Sequence, residues 1–461
     1  MLTYELTKSK GLPLYESLYR CIREDILTGR LAPGQKLPSK RALCANLKVS
    51  KITVETAYSQ LLSEGYLRSE EKVGYFVETV ERLPRKAPLS APQPPRSPEL
   101  LDLTGSAPVH FPFSVWSRLQ RQVMLDLGEQ LLLPLPNQGL YDLRSAIASH
   151  LSEFRGMQVS PEEILIGAGT DFLYNLLVQL LGRDMLYAVE EPGYGKIRKI
   201  YASAGAGCVG VPLDLQGVHL QHLGQAQVLH LSPAHHFPTG RITTLSRRQA
   251  LLQWASQAPD RWIIEDDYDS EFRFQGHPLP TMQSLDTAGR VIYLNSFSKS
   301  LAPSIRISYM VLPERLMAEF QRRLGFYSCT VPSFEQHTLA LFLREGHFEK
   351  HINRMRKFYR ARRDQVLSII TGCPCARQFT ILEEDAGLHF LVKVNTALPD
   401  SQLESLFANA GILVRCLSSY YHGTVPPEDT GCLVINYSAL ADGDVQKLQQ
   451  LLTGLHLPER T

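Results

Sequence analysis

Lys299 stands in the stretch Ser296-Phe-Ser298-Lys299-Ser-Leu-Ala-Pro-Ser-Ile-Arg306, directly after the strand-like run 291–295. A lysine amine whose pKa is lowered can attack a carbonyl carbon. Asp266 and Asp267 end the apolar run that begins at Trp262, and Tyr268, two residues past Asp266, falls on the same face of an extended chain. That spacing offers a carboxylate to a cationic partner and a phenol to a nearby oxygen. Gly169 and Thr170 open a helical run whose free backbone N–H groups suit an anion, and Ser296, Ser298 and Arg306 add donors from the lysine loop. Nearer the N-terminus a second polar and basic set, Ser39, Arg41, Ser50, Lys51, Thr53, Lys72 and Gly74, is spread over two short helices and a turn.

Two different sets of elements must carry these residues. At 461 residues, with 44% hydrophobic and 20% charged residues, the chain is too long for one core and has the composition of a globular protein. The overall net charge of +2 gives no global attraction to nucleic acid or membrane. Residues 1–100 nevertheless carry 16 Lys/Arg against 11 Asp/Glu, so the basic excess is local to the N-terminal part. Six prolines within 81–100 and no apolar periodicity mark an extended linker, able to span on the order of 60 Å. The expected division is 1–80, a linker over 81–103, and a large domain over 104–461.

Before the linker, Pro13 opens a helical pattern (Leu14, Leu18, Ile22, Ile26) that ends at Gly29. Ser39 can cap a short helix carrying Leu43 and Leu47, and Ser50 a third carrying Val54, Tyr58, Leu61 and Leu62. That is a helix-turn-helix spacing, and the strand-like runs 66–69 and 75–78 complete a β-hairpin wing. After the linker, short β-type runs at 164–166, 185–189, 228–231, 262–264 and 291–294 alternate with amphipathic helices, which predicts an α/β sheet covered on both faces. Long helices from about Pro332 lead into strands 388–394 and 433–437, which predicts a smaller α+β cap. Eight cysteines include no C-x-x-C pair, so reduced thiols and no metal site are expected. The start MLTYELTKSK lacks the apolar core of a signal peptide, and no run of about 18 apolar residues occurs, so a cytoplasmic protein without membrane contact is expected.

The stretch from Pro13 to Leu67 (PLYESLYRCIREDILTGRLAPGQKLPSKRALCANLKVSKITVETAYSQLLSEGYL) resembles the winged helix-turn-helix of GntR-type bacterial transcription factors nearly throughout. The resemblance implies double-stranded operator DNA as partner. Ser50, Lys51 and Thr53 then lie at the end of the helix that enters the major groove, Ser39 and Arg41 beside phosphates, and Lys72 with Gly74 on a wing against the minor groove. Ile52 and Glu55 depart from the polar or basic types that some members carry there.

Residues 104–461 resemble the fold type I pyridoxal-phosphate enzymes of the aminotransferase family, through SFSKSLAPSIRISY (296–309), EDDYDSEF (265–272), HLSPAHHFPTG (230–240), EEPGY (190–194) and GAGTDFLYNLL (167–177). Joined to the N-terminal part, the chain looks like the MocR/GabR subfamily, in which an aminotransferase-like domain serves as effector sensor. The resemblance implies pyridoxal 5'-phosphate bound through Lys299. Asp266 would face the ring nitrogen, Tyr268 the phenolic oxygen and Tyr194 the ring face, with the phosphate held by Gly169, Thr170, Ser296, Ser298 and Arg306. Asp267 is the expected structural carboxylate.

Two positions depart from that pattern: Phe237 stands where many aminotransferases have an asparagine before P-T-G, and Asn436 stands where an arginine is sought for the substrate carboxylate. Transamination is therefore expected to be compromised, leaving a sensor of a small amine, an amino acid or the B6 cofactor itself. Arg415 and Lys196 are the alternative anchors for an effector carboxylate. The resemblance also implies a homodimer, head-to-tail, with the linkers crossing.

Overall fold

A computed structural model describes residues 2, 4, 6, 13–80, 100–105, 110–274, 279–383 and 387–458. The chain divides into two compact units, 1–95 and 96–461. The linker expected over 81–103 lies outside the described residues except at its end. There Leu101–Asp102 form a strand, β3 below, that pairs within the C-terminal unit, so these residues are not linker.

The N-terminal unit is built from α1 (Leu14–Thr28), α2 (Lys40–Leu47), α3 (Lys51–Ser63), β1 (Leu67–Glu70) and β2 (Gly74–Val77). Its boundaries follow from local chemistry. Gly29, at φ +79°, closes α1 with its N–H on the Ile26 carbonyl, a backbone that side chains with a Cβ resist. The Oγ of Ser39 accepts from the Ala42 N–H and that of Ser50 from the Thr53 N–H, so both expected caps are formed. Leu18, Ile22 and Ile26 of α1 pack on Leu43 of α2 and on Val54, Tyr58 and Leu61 of α3. Leu14, Leu47 and Leu62 lie half-buried at the rim. The hairpin pairs Leu67 with Val77 and Glu70 with Gly74, leaving Glu71, Lys72 and Val73 at its tip.

In the C-terminal unit, β3 (Leu101–Asp102) precedes an eight-stranded sheet. Its strands are β4 (Ile164–Gly167), β5 (Leu186–Glu191), β6 (Gly207–Asp214), β7 (Gly217–Val218), β8 (Val228–Leu231), β9 (Trp262–Asp267), β10 (Val291–Ser296) and β11 (Ser308–Val311). Their order is β4-β11-β10-β9-β8-β5-β6-β7; β10, β9, β8, β5 and β6 run parallel, and β11 runs antiparallel to both its neighbours. Adjacent residues alternate between two apolar layers: Ile264, Ile292 and Leu294 join one core and Ile263, Leu229 and Val291 the other. Covered on both faces, the sheet leaves the carboxyl ends of its parallel strands as the place where polar side chains meet.

The strands β12 (Phe379–Leu382), β13 (His389–Val394), β14 (Ile412–Leu413), β15 (Arg415–Cys416) and β16 (Cys432–Asn436) follow the 26-residue helix His347–Gly372. They form an antiparallel sheet in the order β12-β13-β16-β15, while β14 pairs in parallel with β3. The expected small α+β part is this sheet with its helices. Among the described residues, no helix is long and apolar enough to cross a membrane.

Candidate functional site

Asp266, Tyr268 and Lys299 lie at or just past the carboxyl ends of β9 and β10, with His230 near the end of β8 and Tyr194 three residues past β5. The Oδ2 of Asp266 accepts from the Tyr174 hydroxyl and lies 3.4 Å from Nε2 of His230, whose Nδ1 is 2.6 Å from the Tyr201 hydroxyl. One donor order satisfies this chain: Tyr201 donates to Nδ1 and His230 donates from Nε2 to Asp266. The other oxygen, Oδ1, is buried and has no hydrogen-bond partner among the described residues. A carboxylate held on one side and bare on the other is arranged for a cationic donor from outside the chain. Asp267 points elsewhere, to Arg155 Nη2 at 2.6 Å and the Tyr293 hydroxyl at 2.7 Å, as a structural carboxylate does.

Lys299 lies on the short helix Phe297–Ser300 that follows β10. Burial pushes its ammonium below the ordinary lysine range, and the Asp269 carboxylate opposes that shift. Around it, the Tyr268 hydroxyl is 3.2 Å from Nδ1 of His235, and that nitrogen is 2.9 Å from Asp269 Oδ2. His389 donates from Nε2 to the Pro238 carbonyl at 3.0 Å, and burial, with His235 beside it, holds it neutral. His235, Asp269 and His389 bring ligand-type atoms within 4.8 Å of one another. Burial also raises Glu190 to about 8 and lowers His236 to about 3. Both shifts favour the uncharged forms of these two groups, which lie 3.7 Å apart.

The residues expected to take an anion are also held by defined contacts. Gly169, at φ +91°, precedes the helix Thr170–Leu181, and a Cβ on it would overlap the Arg306 guanidinium. Arg306 Nη2 donates to the Ala168 carbonyl at 3.3 Å and lies 3.5 Å from Asp171 Oδ2. The Ser296 Oγ accepts from the Ser298 N–H at 3.1 Å and sits 2.8 Å from the Ser298 and 2.9 Å from the Ser308 hydroxyls. Gly169→Ala should therefore displace Arg306 and strain the turn. A fall of about tenfold in affinity for pyridoxal phosphate is expected, on the scale of one lost charge-assisted bond, read by absorbance titration. An unchanged affinity would show that Arg306 is not held for an anion.

Both expected carboxylate anchors are already paired with a carboxylate of the chain. Lys196 Nζ pairs with Asp171 Oδ2 at 2.6 Å, the oxygen beside Arg306, and Arg415 on β15 pairs with Glu404 at 3.2 Å. Tyr194 is half exposed, with its ring edge-on to Phe237 at 6.0 Å. Phe237 also meets Tyr268, His389 and Tyr420, at 5.1–6.5 Å, so it is an aromatic hub as well as a missing donor. Asn436 is buried, and its Oδ1 accepts from both the N–H and the hydroxyl of Ser438.

Sequence reasoning misses Tyr174, Tyr201, His230, His235, Asp269 and His389. His230, His235 and Asp269 lie inside motifs whose other residues carry the resemblance, and Tyr174 follows Thr170 by one helical turn. His389 carries no local signal.

In the N-terminal unit the polar and basic set lies on the outside of α2, α3 and the hairpin tip. Arg41 is exposed with no side-chain partner among the described residues, and Lys51 lies 3.7 Å from Glu55, which also meets Lys40 at 3.6 Å. Lys72 turns the hairpin at φ +60°, and Gly74, at φ +139°, lies against the Lys36 side chain. Lys51→Ala is expected to cost binding on a preferred duplex by about 1–3 kcal/mol and to relax its sequence preference. Arg41→Ala should weaken preferred and scrambled duplexes alike, as loss of a phosphate contact does. Gel shifts on both duplexes separate the two; equal losses for both variants on both DNAs would contradict the division.

Residues 14–77 match the bacterial regulatory proteins, gntR family, and residues 99–453 match aminotransferase class I and II. The chain is 36% identical over 453 residues to the HTH-type transcriptional regulator YdeL of Bacillus subtilis (strain 168), covering 96% of each chain. It is 33% identical to the probable rhizopine catabolism regulatory protein MocR of Rhizobium meliloti, covering 93% of this chain and 91% of the other. Among solved structures it is similar to the kynurenine aminotransferase of Pyrococcus horikoshii, with 24% identity and a TM-score of 0.66 over 77% of this chain and 89% of that one, a likeness of fold.

Proposed function

Because the chain belongs to the MocR-type GntR regulators, a winged helix-turn-helix joined to an aminotransferase class I and II fold, we propose that residues 104–461 sense a small ligand through pyridoxal phosphate and thereby alter operator binding by residues 1–80. The observation that carries this reading is the bare buried oxygen of Asp266 at strand ends that also bear Lys299, in one chain with a capped, exposed helix for DNA.

The residues fit the cofactor. Asp266 Oδ1 would take the ring nitrogen, Tyr268 the phenolic oxygen and Tyr194 the ring face, while Gly169, Thr170, Ser296, Ser298 and Arg306 would take the phosphate. When bound, pyridoxal phosphate supplies an aldehyde open to amines and an electron-withdrawing ring. Lys299, its ammonium lowered by burial, is the amine of this chain that would hold the aldehyde. His230 and Tyr174 keep Asp266 aimed. Lys196 and Arg415 are the cations for an effector carboxylate; each would exchange its present partner, Asp171 or Glu404, for it. An amino acid, a related amine and the B6 cofactor itself all fit as effector.

The coupling needs no turnover. The effector has to bind two arrangements of the protein unequally, and that difference alone moves DNA affinity. A head-to-tail homodimer in the cytoplasm with crossing linkers is the assembly we infer. The second reading, an active aminotransferase with a DNA-binding appendage, is favoured by the fold shared with solved aminotransferases. Following absorbance, keto-acid product and DNA affinity in one effector titration decides between them. Spectrum and DNA affinity should change together with little product, because Phe237 offers no donor and Asn436 is bonded to Ser438. Sustained turnover of about 1 per second or more would establish the enzyme reading instead.

A further inference from the structure

We propose that Ile52 reads the C5-methyl group of a thymine in the major groove, so that the operator half-site carries a T·A pair opposite the first turn of α3. The proposal rests on the reading of the N-terminal unit as operator-binding, and names what that unit recognises.

The orientation of α3 is set by its buried side. Val54, Ala57, Tyr58 and Leu61 are fully enclosed against α1 and α2, which turns Lys51, Ile52, Thr56 and Ser59 outward. Ile52 is 74% exposed. Among the described residues, the large apolar side chains that the N-terminal unit exposes are Ile52 and Val73 alone, the second at the hairpin tip. Both therefore stand at the two points where a winged helix-turn-helix meets DNA, one on the groove helix and one on the wing. An isoleucine left in water forgoes the burial it would have in a core, and among the described residues Ile52 packs into none of the cores.

The base chemistry then narrows the choice. In the major groove the bases present hydrogen-bonding atoms, and the apolar group that projects from a base edge is the C5-methyl of thymine, which an aliphatic side chain complements. Guanine and cytosine edges would lose water to Ile52 without a replacement bond. The neighbouring charges do not oppose approach to DNA, because Glu55 is matched by Lys40 and Lys51 at 3.6 and 3.7 Å. Lys51 and Arg41 supply the phosphate or base-edge contacts that bring Ile52 to the groove floor.

The test uses the full chain. A preferred duplex is selected from random DNA, and each thymine in it is replaced in turn by deoxyuracil, which removes only the methyl. With native protein, one such replacement per half-site should weaken binding about three- to tenfold, the size of one or two buried methyl contacts. In Ile52→Ala the same replacement should change affinity less than twofold. The substitution is on an exposed helical position, and circular dichroism and binding to scrambled DNA should remain native. A preferred duplex whose thymine methyls matter equally to native protein and Ile52→Ala, or not at all, overturns the proposal and leaves the regulator reading standing. Failure to select any preferred duplex would instead overturn the regulator reading on which it rests.

Discussion

Lys299→Ala should abolish the borohydride-trappable covalent adduct that the native protein is expected to form with pyridoxal phosphate. The expectation follows from position and environment together. Lys299 sits one short turn past the end of β10, with the Ser296 and Ser298 hydroxyls and Arg306 in the same loop. Its amine is largely removed from water, so the neutral, reactive form is available at lower pH than for a lysine on the surface. The sign is a lowered pKa: adduct formation should persist into the pH range where an exposed lysine is already fully protonated, and fall only as pH drops through the depressed value. Asp269 acts against this shift, so Asp269→Asn should move the fall to still lower pH. Peptide mapping after reduction checks the site, and an adduct on another lysine in the native protein would refute it.

Asp266→Asn should weaken cofactor retention by about 10- to 100-fold, the worth of a charge-assisted bond of roughly 1.5–3 kcal/mol, and shift the cofactor spectrum. The present geometry explains why the effect is large. Oδ2 is already satisfied by Tyr174 and His230, so the whole remaining capacity of the carboxylate is the bare Oδ1. An amide cannot hold a ring nitrogen protonated as a carboxylate does. DNA binding by the N-terminal unit should survive, since its core is separate. His230→Ala gives the graded control: it leaves Oδ1 in place but removes the chain from Tyr201, so the spectrum should shift less than in Asp266→Asn. Unchanged retention and spectrum in Asp266→Asn would reject the assignment.

Local chemistry in the sequence already determined the ends of the N-terminal helices, the alternation that builds the large sheet and the strand-end places of Asp266 and Lys299. Gly29 must stop α1 because its backbone is left-handed, and Ser39 and Ser50 start α2 and α3 because their hydroxyls satisfy otherwise unpaired N–H groups. Such signals lie within a few residues of the feature they control. What only the tertiary structure decided are meetings between distant segments. His230 reaches Asp266 because β8 and β9 are parallel neighbours, and His389 comes beside His235 from a separate sheet. Leu101–Asp102 leave the linker because Ile412–Leu413, more than 300 residues later, complete their hydrogen bonds. Lys196 joins Arg306 at Asp171, an assignment that its place after Glu-Pro-Gly-Tyr could not reveal. Strand order and register set these contacts, and they depend on which buried faces fit together across the whole chain, a property that no single stretch of residues contains.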